Sequence, residues 1–444
     1  MRDATEEVGA TRTTGVPAAQ KARALSPPPP ILRTPSRGRT DRPVATVAIL
    51  LLGFNITVAG GPLTELGVGS VFALALIPVW WPAVKRYAGG PTLFGVTALA
   101  VLNGLELRVY HTSDHLVSAG HTMDELAIFL GAMAGAGVIL WSRQMMSTGR
   151  IGLLYGLGAL AAFIVQPDPS VQINAWKYGG AVIAAIVSLS LADLTRSRLI
   201  QGLVLIALAG LSVGFDSRSY VGSFGLALLL VVWQARPQGL SRRRTWLWTA
   251  GLLAGLGWGV YSLATSLLVS GYLGHAAQER TVEQIHEAGS LIVGGRPELA
   301  ATVTLIEHDP LGFGLGVAPN QDDIRVAKTG LQSINYDPNN DYVDRYMFGG
   351  GQFELHSNVG DLWATYGLAG LLFVAVALVL TVRGIATLVS ARQASSLGLF
   401  LGWWTMWNFF FSPLLTSTIT LAPALGLLLL ARRPVDSAGE RAAR

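Results

Sequence analysis

The sequence contains no cysteine among its 444 residues, and charged residues are scarce. The absence of cysteine excludes disulfides, thiolate nucleophiles and cysteine-based metal sites. Only 13% of the residues are charged, whereas water-soluble domains usually carry about 25%. Hydrophobic residues make up 51% of the chain, and the mean hydropathy is +0.46. This composition is typical of an integral membrane protein.

Long apolar runs are the most prominent feature of the sequence. A helix that crosses a bilayer needs roughly 17–25 mostly apolar residues, and runs of this kind recur along the chain. They predict an all-α integral membrane protein with about twelve transmembrane helices and one long extracytoplasmic loop that contains short helices. A tight turn separates the seventh and eighth runs, which predicts a helical hairpin. The predicted spans are 43–59, 66–84, 91–107, 124–141, 150–166, 178–193, 199–215, 219–235, 246–270, 359–382, 395–411 and 413–431.

The basic residues predict the orientation of these helices. With the N-terminal tail in the cytoplasm and twelve alternating spans, most Lys and Arg residues fall in short cytoplasmic segments, as the positive-inside rule requires. The net charge of +5 is therefore a signal of topology and not of nucleic-acid binding. The predicted organisation is a disordered, proline-rich cytoplasmic tail (1–42), helices 1–9 (43–270), the extracytoplasmic loop (271–358), helices 10–12 (359–431) and a cytoplasmic tail (432–444).

The long loop has ordered and disordered features. TVEQIHEAGSLI (281–292) and RPELAATVTLIEH (296–308) show helical spacing of apolar residues. GFGLG (312–316) is typical of a tight turn and lacks the strand-to-helix context of a nucleotide loop. DPNNDYVDRYMFGGGQF (337–353) predicts a flexible surface stretch. All seven histidines fall on the predicted outer side, so chemistry is expected there.

Three polar residues on that side are candidates for chemistry. His356 precedes the tenth span and could take a proton from a hydroxyl; the alternative is an interfacial histidine that caps the helix. Asp361, one turn later, could orient the imidazole or cap the helix. Arg218, close to hydrocarbon, could bind a ligand or snorkel and pair with Asp216. Arg296 alone would be an ordinary loop arginine, but two guanidinium groups in one pocket would suit a diphosphate.

Two further patterns admit more than one interpretation. A segment rich in histidine and aspartate could bind a divalent metal, although its spacing matches no standard site and an exposed polar loop explains it as well. The Trp-rich run GWWTMWNFFF (402–411) favours an aromatic membrane belt over a sugar-binding platform. The histidine- and aspartate-rich segment contains His111, Asp114, His115, His121 and Asp124.

Three segments, taken in order, carry a family resemblance. They are DSRSYVGSFGLALLL (216–230), GRPELAATVTLIEHDPLGFGLG (295–316) and HSNVGDLWATYGLAGLLF (356–373). With the predicted topology, the chain resembles the O-antigen ligase and Wzy-type polymerase superfamily of bacterial envelopes. The resemblance extends to Gly367 and Gly370 as packing glycines, whereas Ser357 stands where asparagine is common in the family.

The resemblance implies a function. It implies a metal-independent, inverting glycosyltransferase, a ligase or a polymerase, in the bacterial cytoplasmic (inner) membrane, with both termini in the cytoplasm. The donor would be a glycan on a polyprenyl diphosphate, and the acceptor a hydroxyl of a glycan, a lipid or a protein. His356 would be catalytic, Arg218 and Arg296 would bind the diphosphate, and no cofactor, metal or nucleic acid would be needed. A transporter or flippase of the lipid-linked glycan and a non-catalytic scaffold are the alternatives.

Overall fold

The computed structural model describes residues 38–57, 66–167, 169–235, 275–288, 296–339 and 341–432, together with five single positions between 251 and 270. In this part of the chain the structure is helical, with isolated bridges and no strand, so the predicted all-α class is confirmed for it. The α-helices are α1 Gly38–Gly53, α2 Val68–Ala75, α3 Ile77–Val84, α4 Gly90–Tyr110, α5 Ala119–Ser142, α6 Thr148–Val165, α7 Val171–Asn174, α8 Ala181–Thr195, α9 Arg198–Gly214, α10 Arg218–Gln234, α11 His275–Ala288, α12 Glu298–His308, α13 Gln321–Gln332, α14 Asn358–Ser390, α15 Ser396–Phe411 and α16 Leu414–Leu428.

Five helical segments are long and apolar enough to cross a membrane, judged by length and composition. They are Gly90–Ser113, Ala119–Ser142, Thr148–Val165, Trp176–Thr195 and Asn358–Ser390. They support a membrane protein, while the number of twelve spans stays a prediction. The ninth predicted span (246–270) and the two tails lie largely outside the described residues, as do residues 271–274 and 289–295 of the loop.

Three predicted spans contain breaks. The second is split into α2 and α3, because Pro78 has no amide hydrogen to continue the helical ladder. Before α8, Tyr178 and Gly179 leave helical geometry, and Gly179 has a φ of 116°. Helix α14 bends at Gly367, whose φ is 61° and ψ −148°. A Cβ atom at this position would lie 2.5 Å from Asn103 Nδ2 of α4, so glycine permits both the bend and the close approach of two helices.

The helices outside the loop form one bundle with a continuous apolar core. Small residues let its helices approach closely. Between α1 and α6, for example, a Cβ at Gly53 would clash with the carbonyl of Tyr155. Segments predicted to share a membrane side contact one another: Tyr87 bridges to Ala431, and Arg143 Nη1 donates to the carbonyls of Gly426 (2.9 Å) and Leu429 (2.7 Å).

Residues 296–356, which we call the outer unit, have a second hydrophobic core. Helices α12 and α13 pack together, and Asn320 and Asp323 form a capping box at the start of α13. The stretch 337–353 was predicted to be flexible and exposed. In the structure, instead, it contributes to this core, because its apolar residues recur at a spacing that one compact turn can bury. The core residues from this stretch are Val343, Met347, Phe348 and Phe353.

The GFGLG segment joins the outer unit to the bundle. Gly312, Gly314 and Gly316 all have positive φ. The amides of Phe313 and Gly314 donate to the carbonyl of Ala364 in α14, each at 2.8 Å. These backbone donors are therefore engaged by the protein, and the segment is a docking turn and not a phosphate cradle.

Candidate functional site

His356 ends the outer unit where the chain enters α14. Its φ is 53°, a conformation uncommon for residues other than glycine and often found at functional positions. The turn is fixed on both sides. Asp361 Oδ1 accepts a hydrogen bond from the Leu355 amide at 2.8 Å, and Ser357 caps α14 by accepting from the Gly360 amide at 3.0 Å. The imidazole is thus carried by a rigid backbone. Asp361 acts on this backbone rather than on the imidazole, because its Oδ2 accepts from the Leu414 amide at 2.7 Å.

The hydrogen bonds of His356 determine its tautomer. Nδ1 lies 2.8 Å from the carbonyl oxygen of Glu354, and a carbonyl can only accept, so Nδ1 carries the proton. In the neutral imidazole the lone pair is therefore on Nε2, which is the form a general base requires. The ring stacks on Tyr346 with the centroids 3.8 Å apart. The side chain is buried and lines a cavity.

Arg296 is connected to this histidine through a series of side-chain contacts in the outer unit. Its Nη1 donates to Oε1 of Glu298 at 3.3 Å, and the hydroxyl of Tyr342 donates to Oε2 of the same carboxylate at 2.6 Å. Glu298 is almost fully buried. The ring of Tyr342 packs on that of Tyr346, with the centroids 4.9 Å apart. Arg296, Glu298, Tyr342, Tyr346 and His356 therefore form one continuous cluster.

The two tyrosines of this cluster have raised pKa values. Burial raises the pKa of Tyr346 to about 12; the charge of Glu298 adds to the shift, and Arg296 opposes it. Burial and then Glu298 raise the pKa of Tyr342 as well. Both phenols stay neutral at physiological pH, so Tyr342 can act as a hydrogen-bond donor to the buried carboxylate.

A cavity of about 940 Å³ extends from this cluster into the bundle. Within the part of the chain that the structure describes, Lys177 and Arg296 are the charged side chains on its wall, and no carboxylate lines it. Other parts of the wall are apolar or aromatic, including Ile419, Leu415 and Phe163. A cavity whose wall contains both cationic and apolar side chains can accept an amphipathic anion.

The sequence-predicted site residues are not all on the cavity wall. Arg296 and His356, which are 60 positions apart, both line the cavity. Arg218 is not among the lining residues, although its neighbours Ser219 and Tyr220 are. The Arg218 side chain is partly exposed, and its Nε lies 3.6 Å from Asp216 Oδ1. The pairing considered from the sequence is therefore present, and the role of Arg218 stays a prediction.

Two site residues were missed from the sequence. Lys177 is not singled out by the sequence analysis. The signal that could have identified it is the following Tyr-Gly-Gly, where the chain leaves helical geometry before α8 next to the cavity. Tyr346 was assigned to the flexible stretch.

The Trp-rich run also differs from the expected aromatic belt in part, since Trp404 and Trp407 line the cavity. Trp404 is buried because it stacks on Tyr220, with the centroids 4.1 Å apart.

The segment rich in histidine and aspartate is partly assembled. His111, Asp114 and His115 bring ligand-type atoms within 4.8 Å of one another. His121 and Asp124 are not part of this group, because they lie in the first turns of α5 and not in the turn after α4. None of the three clustered residues lines the cavity, so the two sites are separate.

No family model matches the chain, and no curated protein matches it.

Proposed function

We propose that the protein is a membrane glycosyltransferase that transfers or polymerises a glycan from a polyprenyl-diphosphate-linked donor onto an acceptor hydroxyl at the outer face of the bacterial cytoplasmic membrane. The proposal includes twelve spans with both termini in the cytoplasm and an activity of the O-antigen ligase or polymerase type. The observation that carries it is the shared cavity of Arg296 and His356. A guanidinium group and an imidazole with a free Nε2 are the groups that such a transfer needs.

The proposed reaction is a direct displacement. His356 Nε2 takes the proton of the acceptor hydroxyl, and the hydroxyl oxygen attacks the anomeric carbon of the donor sugar. The bond from that carbon to the diphosphate oxygen breaks, and polyprenyl diphosphate leaves. Attack from the side opposite the leaving group inverts the anomeric carbon. The activated bond is already present in the donor, so the step needs no nucleotide.

The charges near the cavity suit the leaving group. A diphosphate gains negative charge as the bond breaks, and preorganised cations that stabilise such charge typically contribute about 3–4 kcal/mol each. Arg296 and Lys177 line the cavity, and Arg218 is proposed to reach it from the rim beside Ser219. The absence of carboxylates among the described lining residues avoids repulsion of the anion. The apolar wall near Ile419 would accommodate the first units of the polyprenyl chain.

The experiment is a comparison of two histidine variants in a strain that lacks its own copy of the gene. His356→Ala is expected to lower polymer or ligation product by about 10²–10⁴-fold, the usual contribution of a general base, and lipid-linked donor should accumulate. His308→Ala is the matched control, because His308 is exposed at the end of α12 and does not line the cavity. Normal product with His356→Ala at a normal protein level would refute the proposal.

The contributions of Arg218, Arg296 and Lys177 to transfer can be measured separately in the same assay. Arg296→Ala and Lys177→Ala are expected to lower transfer by about 10²–10³-fold each if both bind the diphosphate. Arg218→Ala tests the third cation of the proposal. An unchanged rate with Arg218→Ala alongside a loss with Lys177→Ala would replace Arg218 by Lys177 in the site.

One observation favours a second function, a flippase for the same lipid-linked glycan. The unwound turn at Tyr178 and Gly179 lies on the cavity wall, and broken helices next to a binding site are typical of transporters. Proteoliposomes that contain labelled lipid-linked glycan distinguish the two. A transferase converts the donor to product and loses this activity with His356→Ala. A flippase moves the donor across the bilayer without a change in its mass.

A further inference from the structure

A second group of chemically reactive side chains lies where α4 ends, outside the cavity. His111 and Asp114 follow the last turn of α4, and His115 comes next in the chain. Asp114 Oδ1 lies 3.6 Å from His111 Nδ1 and 3.2 Å from His115 Nδ1. Two imidazole nitrogens and one carboxylate oxygen therefore converge on one point.

The convergent nitrogens have no hydrogen-bond partner. Both imidazole side chains are only 4% exposed, and His111 Nδ1, His111 Nε2 and His115 Nδ1 are buried without one. A buried polar atom that is left unpaired destabilises the folded state, so a partner is expected. The carboxylate oxygen lies 3.2–3.6 Å from both Nδ1 atoms, but neither contact is a hydrogen bond. Two ligands bonded at 2.0–2.1 Å to one tetrahedral metal lie about 3.3 Å apart, which agrees with the observed separations.

The Nε2 atoms of both histidines lie close to carboxylates. His111 Nε2 lies 3.3 Å from Asp309 Oδ2, and His115 Nε2 lies 2.9 Å from Asp323 Oδ2. Metal-binding histidines commonly direct the ring nitrogen opposite the metal to a carboxylate, which fixes the tautomer and raises the basicity of the ligand. His115 has this arrangement with Asp323, whereas His111 Nε2 lies close to Asp309 Oδ2 without a hydrogen bond. In the neutral imidazole, donation from Nε2 to Asp323 leaves His115 Nδ1 with the lone pair that a metal requires.

We propose that His111 Nδ1, His115 Nδ1 and Asp114 Oδ1 bind one divalent cation of the Zn²⁺ class. Zinc prefers nitrogen and carboxylate ligands of this kind, and water can complete its coordination because Asp114 is 56% exposed. The site is structural. Its supporting carboxylates belong to the outer unit, Asp309 after α12 and Asp323 in the first turn of α13. The cation would therefore link the C-terminal end of α4 to the outer unit.

A metal-free arrangement of the same side chains is the competing state. Asn320 Nδ2 lies 3.1 Å from His115 Nε2 and could donate to it in the other tautomer. His115 Nδ1–H would then face Asp114, and the cluster would consist of ion pairs and hydrogen bonds alone. The two states differ in whether the chain binds a stoichiometric cation, so a direct binding measurement separates them.

The test is a titration of the purified full-length chain, prepared without a histidine tag and stripped with a chelator. Co²⁺ is the spectroscopic probe for a tetrahedral site, and Zn²⁺ is the competitor. We expect one equivalent of Co²⁺ per chain, with the visible absorption of tetrahedral coordination, displacement by Zn²⁺, and a higher unfolding temperature when Zn²⁺ is present. His115→Asn and Asp114→Asn should abolish the signal, and Asp309→Asn should weaken affinity by about 10–100-fold.

His121→Asn is the matched control. His121 belongs to the same histidine-rich segment but lies outside the cluster, so this variant should bind Co²⁺ like the native chain. The native chain itself decides the proposal even if a variant fails to fold. Failure of the native chain to bind Co²⁺ or Zn²⁺ stoichiometrically would overturn the proposal, and so would loss of binding with His121→Asn but not with His115→Asn. Neither result bears on His356, which lies in a separate site.

Discussion

The bundle and the outer unit are stabilised in different ways. The bundle core consists of apolar side chains on helices that approach through small residues, as between Gly53 and Tyr155. The outer unit has a small aromatic core, in which Phe313 stacks on Phe353 with the centroids 4.1 Å apart. It is also fastened by polar contacts, such as that of Glu298 with Arg296 and Tyr342. Apolar packing suits a helix surrounded by lipid, whereas directional polar contacts place a few side chains accurately.

The junction between the two regions carries the candidate site. Trp363 and Ala364 belong to α14 but pack in the core of the outer unit, and His356 lies at the chain position where one region becomes the other. The outer unit is thus, in its described residues, a folded element anchored to a bundle helix. The following predictions test how strongly the outer unit depends on this junction, beginning with the largest expected effect.

Gly314→Ala should have the largest effect on stability. Gly314 has a φ of 108°, and a Cβ atom there would clash with the backbone of Arg108 in α4. Backbone strain and overpacking together should cost roughly 3 kcal/mol or more. Thermal unfolding in detergent and limited proteolysis of the loop measure the loss.

Gly95→Ala in α4, the helix that contains Arg108, is the control. An added Cβ at Gly95 meets nothing within 4 Å, and about 0.5–1 kcal/mol of stabilisation is expected. Equal stability of both variants would contradict a tightly docked outer unit.

Asp361→Asn should weaken the junction next most strongly. Its carboxylate accepts from the amides of Leu355 and Leu414, and an asparagine would present an N–H group to one of these donors. The cost should be about 1–3 kcal/mol because the unpaired amide is buried. The outer unit should become more sensitive to protease, and transfer should decrease because His356 loses its fixed backbone. Asp341→Asn, at an exposed surface pair with Arg345, should leave both properties unchanged.

Glu298→Gln should affect the outer unit more than the bundle. The substitution keeps the shape but leaves Arg296 or Tyr342 facing an amide group, at a cost of about 1–3 kcal/mol. Protection of outer-unit amides from hydrogen exchange should decrease, while protection in the bundle should not. Glu307→Gln, at an exposed position of the same helix, is the control. A uniform decrease across the chain would show that the two regions unfold together and are not separate in stability.

Alkaline pH should have the smallest effect, and it should act through Tyr346. Its folded pKa is about 12, whereas an unfolded tyrosine titrates near 10. The folded state therefore binds the proton more tightly, and the stabilisation is fully present below about pH 10 and is lost as the pH rises towards 12. Chemical denaturation of the native chain and of Tyr346→Phe at pH 9 and 11 measures this difference. The native chain should lose more stability than the variant; equal losses would exclude the effect.

The fold was predicted from the sequence more completely than the site. Apolar runs located helices because burial of side chains in lipid or in a bundle requires them at every turn, and the helical hairpin of α9 and α10 follows its predicted limits closely. The breaks were missed at Pro78, Gly179 and Gly367, since a proline or glycine within an apolar run is tolerated in some helices and bends others. The compact turn around Tyr346 was missed because its polar and glycine residues resemble those of a mobile loop.

His356 and Arg296 were selected by resemblance and by their position on the outer side, but nothing in the sequence places them at one cavity. Lys177 was overlooked for the same reason, since a single lysine in a short loop has no pattern of its own. The spacing of the histidines and aspartates gave no indication that Asp309 and Asp323, from a distant part of the chain, lie next to His111 and His115.

The sequence alone determined that this chain is helical and apolar enough for a membrane. Each run of apolar residues indicates by its own composition that it is buried in lipid or in a protein core. It also identified polar residues near the helix ends that are predicted to face outward. Only the tertiary structure decided which of them meet. The contact of Tyr342 with Glu298, and the approach of Asp309 and Asp323 to His111 and His115, depend on how whole helices and turns dock. Docking is set by packing summed over many residues and not by any local pattern.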